Sequence, residues 1–265
     1  MKILAITRAP QFSPNSVESD RAIMQAVADR LVGKGYSVII VPETEAACIS
    51  PFSLHTSPSA ILSMGRLPHT LAWLSRQPCR VINTPQSVTA CSRSSLEQIM
   101  LRHHLPCPPK WGDKGYWLKR DDACAQQPDD VLFCKDEQAV AEAIRQFNRR
   151  GIADYVLSAH VEGDLLKFYG VQGTDFFHCY YPTDDGKTKF GLERYNGKAR
   201  HFPFPLSTLR HDAQRLASLV GLDIYGGDCI VRPDGTYCII DFNDWPSFCR
   251  CRDEAADAIA KLVTK

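Results

Sequence analysis

The chain has 265 residues, of which 44% are hydrophobic and 23% are charged, and its formal net charge at pH 7 is +1. These proportions are typical of a globular protein and exclude a chain that is mainly disordered. Proteins that bind nucleic acid usually carry a strong basic excess, so the balanced charge argues against a nucleic-acid partner.

The first residues and the cysteines indicate the compartment. The N-terminal apolar run ends at Thr7 after only about five residues, which is shorter than the apolar region of a signal peptide. No stretch approaches the roughly 20 apolar residues that a membrane span needs. We therefore expect a cytoplasmic protein without a membrane partner, whose eleven cysteines are reduced thiols. None of them forms a C-x-x-C pair, so we predict no structural zinc site.

A strand, a helix and a second strand follow one another at the start of the chain. The apolar patterns predict these elements over Ile3–Ile6, Asp20–Val32 and Tyr36–Val41. This order predicts a parallel pair of strands joined by a right-handed crossover. The pattern then weakens, and we predict only a helix at His69–Arg76 and a strand at Cys79–Ile82.

The pattern of the later elements is α+β. A helix is predicted over Ser87–His104, and it ends before the run L-P-C-P-P because proline cannot continue a helix. Short apolar stretches separated by turns then predict antiparallel strands. These strands are expected at Tyr116–Lys119, Val131–Cys134, Tyr155–Val161, Leu165–Gln172, Phe176–Tyr181, Ile224–Val231 and Thr236–Phe242. Helices are expected at Asp136–Arg149, Leu206–Val220 and Arg252–Val263.

Three oxygen-bearing side chains lie at one end of the last predicted hairpin. Asp228 is at the start of one strand, and Asp241 and Asn243 are two residues apart at the end of the other, so the latter two share a face. Magnesium prefers such hard oxygen ligands, and we predict a Mg²⁺ site here. The alternative is that Asp241 and Asn243 only terminate a strand, as Asp and Asn often do. We interpret Asp244 as a turn residue outside the site.

The stretch G-G-D-C-I-V…I-I-D-F-N-D-W-P-S-F resembles the metal-binding end of the ATP-grasp superfamily, and the segment L-L-K-F-Y-G-V around Lys167 is most similar to its glutamate-ligase-like and inositol-polyphosphate-kinase-like branches. The resemblance implies an α/β plus α+β fold, with an N-terminal β-α-β subdomain over residues 1–83 and an ATP-grasp domain over residues 84–265. A small lobe, about 108–160, and a C-terminal lobe, about 161–265, would clamp ATP. ATP and Mg²⁺ (or Mn²⁺) are the implied cofactors. The family usually has glutamate where this chain has Asp241.

The resemblance also implies nucleotide contacts. Lys119, which ends the strand Y-W-L-K, corresponds to a lysine that binds the α- and β-phosphates. Asp164, or alternatively Glu162, would bind the ribose. A hinge segment would bind adenine through its backbone, and its residues are Ser158, Ala159, His160 and Val161.

Two basic residues are implied as catalytic, because phosphoryl and acyl-phosphate transfer concentrate charge on oxygens. Lys167 would face the phosphates, and Arg200, favoured over Arg194, would lie near the γ-phosphate or the acyl-phosphate. The chain departs from the family in two places. It lacks a lysine near Ser95, for which Arg93 is a candidate substitute, and the loop Arg120–Asp130 lacks a Gly-rich lid.

The implied activity is that of an ATP-dependent ligase, which joins a carboxylate to an amine (or a thiol) through an acyl-phosphate and forms ADP and phosphate. The alternatives are a small-molecule polyol kinase and a degenerate protein that binds nucleotide without catalysis. We expect a small molecule or a peptide as acceptor, bound between the N-terminal subdomain and the metal end. The loop residues Ser13, Asn15 and Ser16 are candidate contacts for an anionic group there.

Overall fold

The computed structural model describes residues 1–46, 57–121, 127–184 and 195–264. Its strands are β1 (Lys2–Thr7), β2 (Ser37–Pro42), β3 (Ala60–Ser63), β4 (Arg80–Ile82), β5 (Tyr116–Arg120), β6 (Val131–Cys134), β7 (Tyr155–Ala159), β8 (Asp164–Val171), β9 (Phe177–Tyr180), β10 (Ile224–Val231) and β11 (Tyr237–Asp244). Its helices are α1 (Val17–Gly33), α2 (Glu43–Ala46), α3 (Pro68–Leu74), α4 (Pro85–Ala90), α5 (Arg93–Arg102), α6 (Glu137–Arg149), α7 (Leu206–Val220) and α8 (Arg252–Thr264).

The N-terminal sheet is parallel, with the strand order β2-β1-β3-β4. The predicted β-α-β start is confirmed, because α1 connects β1 to its parallel neighbour β2. Helix α1 buries an apolar stripe that includes Ile23, Val27 and Leu31. The strand β3 was not predicted. Its four residues, A-I-L-S, are all buried, and so short an apolar run does not separate a strand from a buried helix segment.

Two antiparallel sheets make up the rest of the fold. One has the order β6-β5-β7, and the other has the order β11-β10-β8-β9. In the second sheet β10 pairs on both sides, and Asp228 lies opposite Lys167 on β8 and opposite Asp241 on β11. Gly226 and Gly227 precede Asp228, and a Cβ atom at either position would collide with an aromatic ring of β8. The expected mixture of α/β and α+β structure is thus confirmed.

Some predicted boundaries differ from the structure. The single helix predicted over Ser87–His104 is two helices, α4 and α5, since the side chain of Ser92 accepts a hydrogen bond from the Ser95 amide and caps the start of α5. Strand β11 continues two residues past Phe242, which puts Asn243 and Asp244 inside the sheet. The three sheets fall within the predicted subdomain ranges, but the domain boundaries themselves stay predictions.

The last helix joins the two ends of the chain. Helix α8 packs on α1, and one apolar core contains residues of β1, α1, β8, β10 and α8. At the rim of this contact Arg30 of α1 forms salt bridges with Asp253 and Asp257 of α8. The parallel sheet and the β8–β11 sheet therefore share a core, which fixes the cleft between them. Within the described ranges, none of the helices combines the length and apolar character that crossing a bilayer requires.

Candidate active site

A cleft of about 770 Å³ lies where the three sheets meet. Its walls come from the loops after β1 and β3, the α4–α5 junction, β5, β7, β8, β10 and the end of β11. Ligand pockets of drug-sized molecules typically measure about 300–1,000 Å³, so the cleft has room for a nucleotide-sized ligand. We call the part near β5, β7 and β10 the nucleotide end, and the part near the N-terminal sheet the acceptor end.

The three predicted metal residues converge at the nucleotide end. The register of β10 with β11 sets Asp228 opposite Asp241, and Asn243 follows two residues later on the same face. The side chain of Asn243 hydrogen-bonds to Asp241. On the other side of β10, the Lys167 ammonium lies 3.0 Å from each carboxylate oxygen of Asp228. All four residues line the cleft.

Two more cations stand near these carboxylates. The Lys119 ammonium of β5 donates a hydrogen bond of 2.8 Å to the carbonyl oxygen of Ile240, directly before Asp241. Burial lowers the pKa of Lys119, although the charge of Asp241 acts in the opposite direction. Arg93, at the first turn of α5, donates to the carbonyl oxygen of Arg120 and lines the cleft.

The charge of Asp241 is maintained despite its burial. Burial alone would raise the pKa of its carboxyl group, but the charges of Arg93 and Lys119, the hydrogen bond from Asn243 and the charge of Lys167 together hold that pKa below its ordinary value. Asp241 forms no salt bridge with any residue of the described ranges, so these cations act on it through space. An ionised carboxylate of this kind is a suitable ligand for a divalent ion.

The donor set fits a hard divalent ion such as Mg²⁺ or Mn²⁺. It consists of two carboxylates and one amide, all hard oxygen donors, and Mg²⁺ completes such a set with water and substrate phosphates. Among the residues that the structure describes, no three His, Cys, Asp or Glu side chains come together as a metal site. A metal site at this end of the cleft would thus include Asn243 beside the two carboxylates.

The predicted hinge lies at the end of β7. The amide of Ala159 donates to the carbonyl oxygen of Pro109 and the amide of His160 to that of Gly115, each at 2.8 Å. The carbonyl oxygen of Val161 accepts a hydrogen bond of 3.0 Å from the Asn196 side chain. The amides of Ala159 and His160 are thus engaged within the protein, and adenine recognition through this segment would use its other backbone groups.

Apolar side chains surround the hinge. Val161, Leu165, Ile230 and Ile240 belong to one small apolar cluster and line the cleft. The indole N–H of Trp117 donates a hydrogen bond of 3.0 Å to Nδ1 of His160, and burial lowers the pKa of that imidazole. The neutral form of His160 is the form that accepts this bond.

The chain matches solved structures along its whole length, although it matches no family model and no curated protein sequence. D-alanyl-alanine synthetase A from Vibrio cholerae is 11% identical, with a TM-score of 0.70 and coverage of 100% of this chain and 97% of that chain. A D-alanine–D-alanine ligase from Bacillus anthracis, solved with ATP, is 9% identical, with a TM-score of 0.69 and the same coverage. A RimK domain ATP-grasp protein from Sphaerobacter thermophilus is 16% identical, with a TM-score of 0.64 and complete coverage of both chains.

The chain has the ATP-grasp fold. At these identities the likeness concerns the fold alone, and it confirms the resemblance found in the sequence at that level. The metal residues, Lys119, Lys167 and the hinge residues Ser158, His160 and Val161 all line the ATP-grasp cleft. Their individual roles stay predictions.

Two predicted contacts are corrected by the structure. Asp164 is 2% exposed and lies outside the cleft. Its two carboxylate oxygens accept hydrogen bonds from the backbone amides of Arg200, at 2.8 Å, and Phe202, at 3.0 Å. The carboxylate thus satisfies backbone amides that no sheet satisfies, which argues against a ribose contact. Arg200 is exposed, and its guanidinium lies 6.0 Å from the centre of the Phe202 ring instead of lining the cleft. Arg194 lies outside the described residues.

Sequence reasoning missed a group of four charged residues at the acceptor end, which we call the clasp: Arg8, Asp20, Arg66 and Asp244. The Arg8 guanidinium donates to Asp20 at 3.3 Å and to the carbonyl oxygens of Asp244 and Trp245 at 3.3 and 2.7 Å. Arg66 forms a salt bridge with the Asp244 carboxylate, which is 1% exposed. The clasp fastens the N-terminal sheet to the chain directly after Asn243. The interpretation of Asp244 as a turn residue is wrong, because Asp244 is buried at the end of β11.

The serine loop is placed as expected, but one hydroxyl is already engaged. Ser13 and Ser16 line the acceptor end. The Ser13 hydroxyl donates a hydrogen bond of 2.6 Å to Asp20, and Asn15 is not among the cleft-lining residues. Ser16 is thus the remaining candidate of the three for contact with an anionic group.

Proposed function

We propose that the protein is an ATP- and Mg²⁺-dependent ligase that joins a carboxylate to an amine, or to a thiol, through an acyl-phosphate, and forms ADP and phosphate. The observation that carries this proposal is the convergence of two carboxylates, one amide and three cations at one end of an ATP-grasp cleft. The structural neighbours, which are ligases and synthetases by name, support the same class of reaction.

In this proposal each charged residue has a defined task. Asp228, Asp241 and Asn243 hold Mg²⁺, which supplies Lewis-acid stabilisation of the transferred phosphoryl group. Lys119 and Lys167 bind phosphate oxygens, and Arg93 takes the place of the lysine that relatives carry near Ser95. Lys167, which forms a salt bridge with Asp228, would be the cation for the γ-phosphate if a bound metal took over the charge of Asp228. The protein positions the reactants and neutralises charge without a covalent nucleophile.

The base and sugar contacts follow from the same geometry. Adenine lies against the apolar cluster beside the hinge, with Ser158, His160 and Val161 along its edge. Since Asp164 is occupied by backbone amides, the remaining candidate for the ribose hydroxyls is Glu162, an exposed acid beside the cleft-lining Val161 that does not itself line the cleft.

The acceptor end argues against a kinase whose acceptor is a polyphosphorylated polyol, whereas a kinase of neutral polyols is distinguished only by the assay below. A polyphosphate acceptor requires several available cations, because each phosphate brings up to two negative charges. The only cationic residues that line the described acceptor end are Arg8 and Arg66, and both contact carboxylates of the clasp. A small molecule or a short peptide is the better match. We also propose a cytoplasmic location, consistent with the nine cysteines of the described ranges being free thiols.

The reaction class is tested by measuring ADP and free phosphate together. Purified protein is incubated with ATP and Mg²⁺ and a panel of amino acids, dipeptides, thiols and polyols. A ligase releases one phosphate for each ADP, whereas a kinase forms ADP without free phosphate. Nucleotide binding by calorimetry without ADP from any acceptor would identify a binding protein and overturn the proposal.

A further inference from the structure

Three apolar side chains line the acceptor end from three separate segments. Phe12 follows β1, Leu71 lies on α3 and Val88 lies on α4. All three are partly exposed, and none of the five apolar clusters that the described residues form includes them. Leu165 and Ile230 at the nucleotide end, by contrast, pack into a cluster of the protein's own residues. Phe12, Leu71 and Val88 therefore offer apolar surface that the described residues leave open to a ligand in the cleft.

The charges beside this apolar surface are already in contact with one another. Arg8 is 3.3 Å from Asp20, and Arg66 is paired with Asp244. The clasp thus contains two positive and two negative groups. A strongly charged ligand would have to separate buried ion pairs, and leaving one partner of such a pair uncompensated is strongly unfavourable. An apolar group of a neutral or zwitterionic ligand meets no such penalty.

We propose that the acceptor end binds a substrate with an apolar side chain and no net charge, and that Phe12, Leu71 and Val88 determine this specificity. An amino acid with an aliphatic or aromatic side chain is the simplest molecule of this class. This inference rests on the proposed ligase function, because the same amino acid supplies a carboxylate or an amine to that reaction. The side chain occupies the space between the turn after β1 and helices α3 and α4.

The size of the expected selectivity follows from the burial of apolar groups. One methylene group in an apolar pocket changes kcat/KM by roughly 10- to 200-fold. Leucine should therefore exceed glycine by at least about tenfold in kcat/KM. Aspartate, glutamate and lysine should be poorer substrates than leucine, since their side chains carry charge into the apolar part of the cleft.

The test compares ADP formation from glycine, alanine, valine, leucine, phenylalanine, aspartate, glutamate and lysine at saturating ATP and Mg²⁺. The variants are Leu71→Ala and Val88→Ala. Leu101→Ala is the matched control, because Leu101 is an apolar helix residue that is 59% exposed and lies outside the cleft. Each cleft variant should reduce the leucine-to-glycine ratio of kcat/KM by about tenfold. The control should keep the wild-type ratio, and KM for ATP should stay unchanged in all three variants.

A fourth variant, Leu71→Lys, adds a gain of activity that loss of folding cannot imitate. It should raise turnover of aspartate and glutamate relative to leucine. ADP formation with a selectivity that none of the cleft variants changes would overturn this inference and leave the ligase function intact. The same conclusion follows if the wild-type protein prefers the charged amino acids. ADP from no acceptor at all would overturn the ligase function, and this inference with it.

Discussion

The two ends of the cleft use charge in different ways. At the acceptor end, Arg66 and Asp244 are in direct contact, and Arg8 bridges Asp20 and the chain after β11. At the nucleotide end, Asp241 has no salt-bridge partner within the described residues, and the surrounding cations act on it only through space. The first arrangement is complete without a ligand, whereas the second has an open carboxylate that a divalent ion would complete.

The comparison of the two ends separates charges that stabilise the fold from charges that are available to a ligand. A buried ion pair stabilises a structure mainly by avoiding an uncompensated charge, so breaking it should affect folding. The charge of the Asp241 carboxylate is already favoured by neighbouring cations without a direct ion pair, so its removal should affect turnover much more than stability. Substitutions at the two ends should therefore produce opposite patterns.

The largest expected effect is at Asp241. Changing Asp241→Asn keeps the shape of the side chain and removes the charge that would hold Mg²⁺. Metal stabilisation of a developing charge contributes several kcal/mol, so kcat/KM should fall by about 1,000-fold, which corresponds to about 4 kcal/mol. The measurement is ADP formation as a function of Mg²⁺ concentration, together with thermal unfolding.

The matched control is Asp234→Asn. Asp234 lies in the turn of the same hairpin, where its exposed carboxylate bonds only to Thr236, and activity should stay within about twofold of wild type. If Asp241→Asn retained full Mg²⁺-dependent turnover, the carboxylate would have no metal and the contrast between the two ends would disappear.

The second largest effect is expected at the clasp, and it is a loss of folding stability. Asp244→Asn removes the buried charge that pairs with Arg66 and lies 4.0 Å from Arg8, whose salt bridge with Asp20 remains, and we expect the free energy of unfolding to fall by about 3 kcal/mol. Asp253→Asn is the control, because the salt bridge of Arg30 with Asp253 also joins the N-terminal and C-terminal parts but is exposed. Its loss should change stability by less than about 1 kcal/mol. Equal losses in urea denaturation would contradict a structural role for the clasp.

The part of the candidate site that could be predicted from the sequence is the part whose geometry depends on local pattern. The two-residue period of a strand and the turn Arg232–Gly235 are local, and they sufficed to bring Asp228, Asp241 and Asn243 together. The α4–α5 break at Ser92 was also a local signal, a capping serine, which the long apolar periodicity concealed.

Long-range pairing could not be predicted in this way. Asp244 contacts Arg66, which is 178 positions away, and Arg8, which is 236 positions away from it. No short-range pattern distinguishes such an acid from a turn residue. Asp164 is a similar case, since the two amides that donate hydrogen bonds to its carboxylate lie 36 and 38 positions further along the chain. The family resemblance implied that Asp164 binds ribose, but in the structure its carboxylate accepts hydrogen bonds from two backbone amides.

The smallest expected effect concerns His160. This residue lies in the hinge at the nucleotide end, but its hydrogen bond with Trp117 requires a neutral imidazole, so it adds an uncharged case to the comparison of the two ends. Burial lowers the pKa of His160, while the unfolded chain titrates at the ordinary value of about 6.5. As pH falls below about 6.5, the unfolded state binds a proton that the folded state does not bind, so stability decreases with falling pH. His160→Asn keeps an acceptor for the Trp117 indole and does not titrate. Between pH 7 and pH 5 the wild type should thus lose more unfolding free energy than this variant, by an amount below that of Asp244→Asn. Parallel stability curves for the two proteins would show that His160 is protonated equally in both states, and that charge at the hinge has no bearing on the nucleotide end.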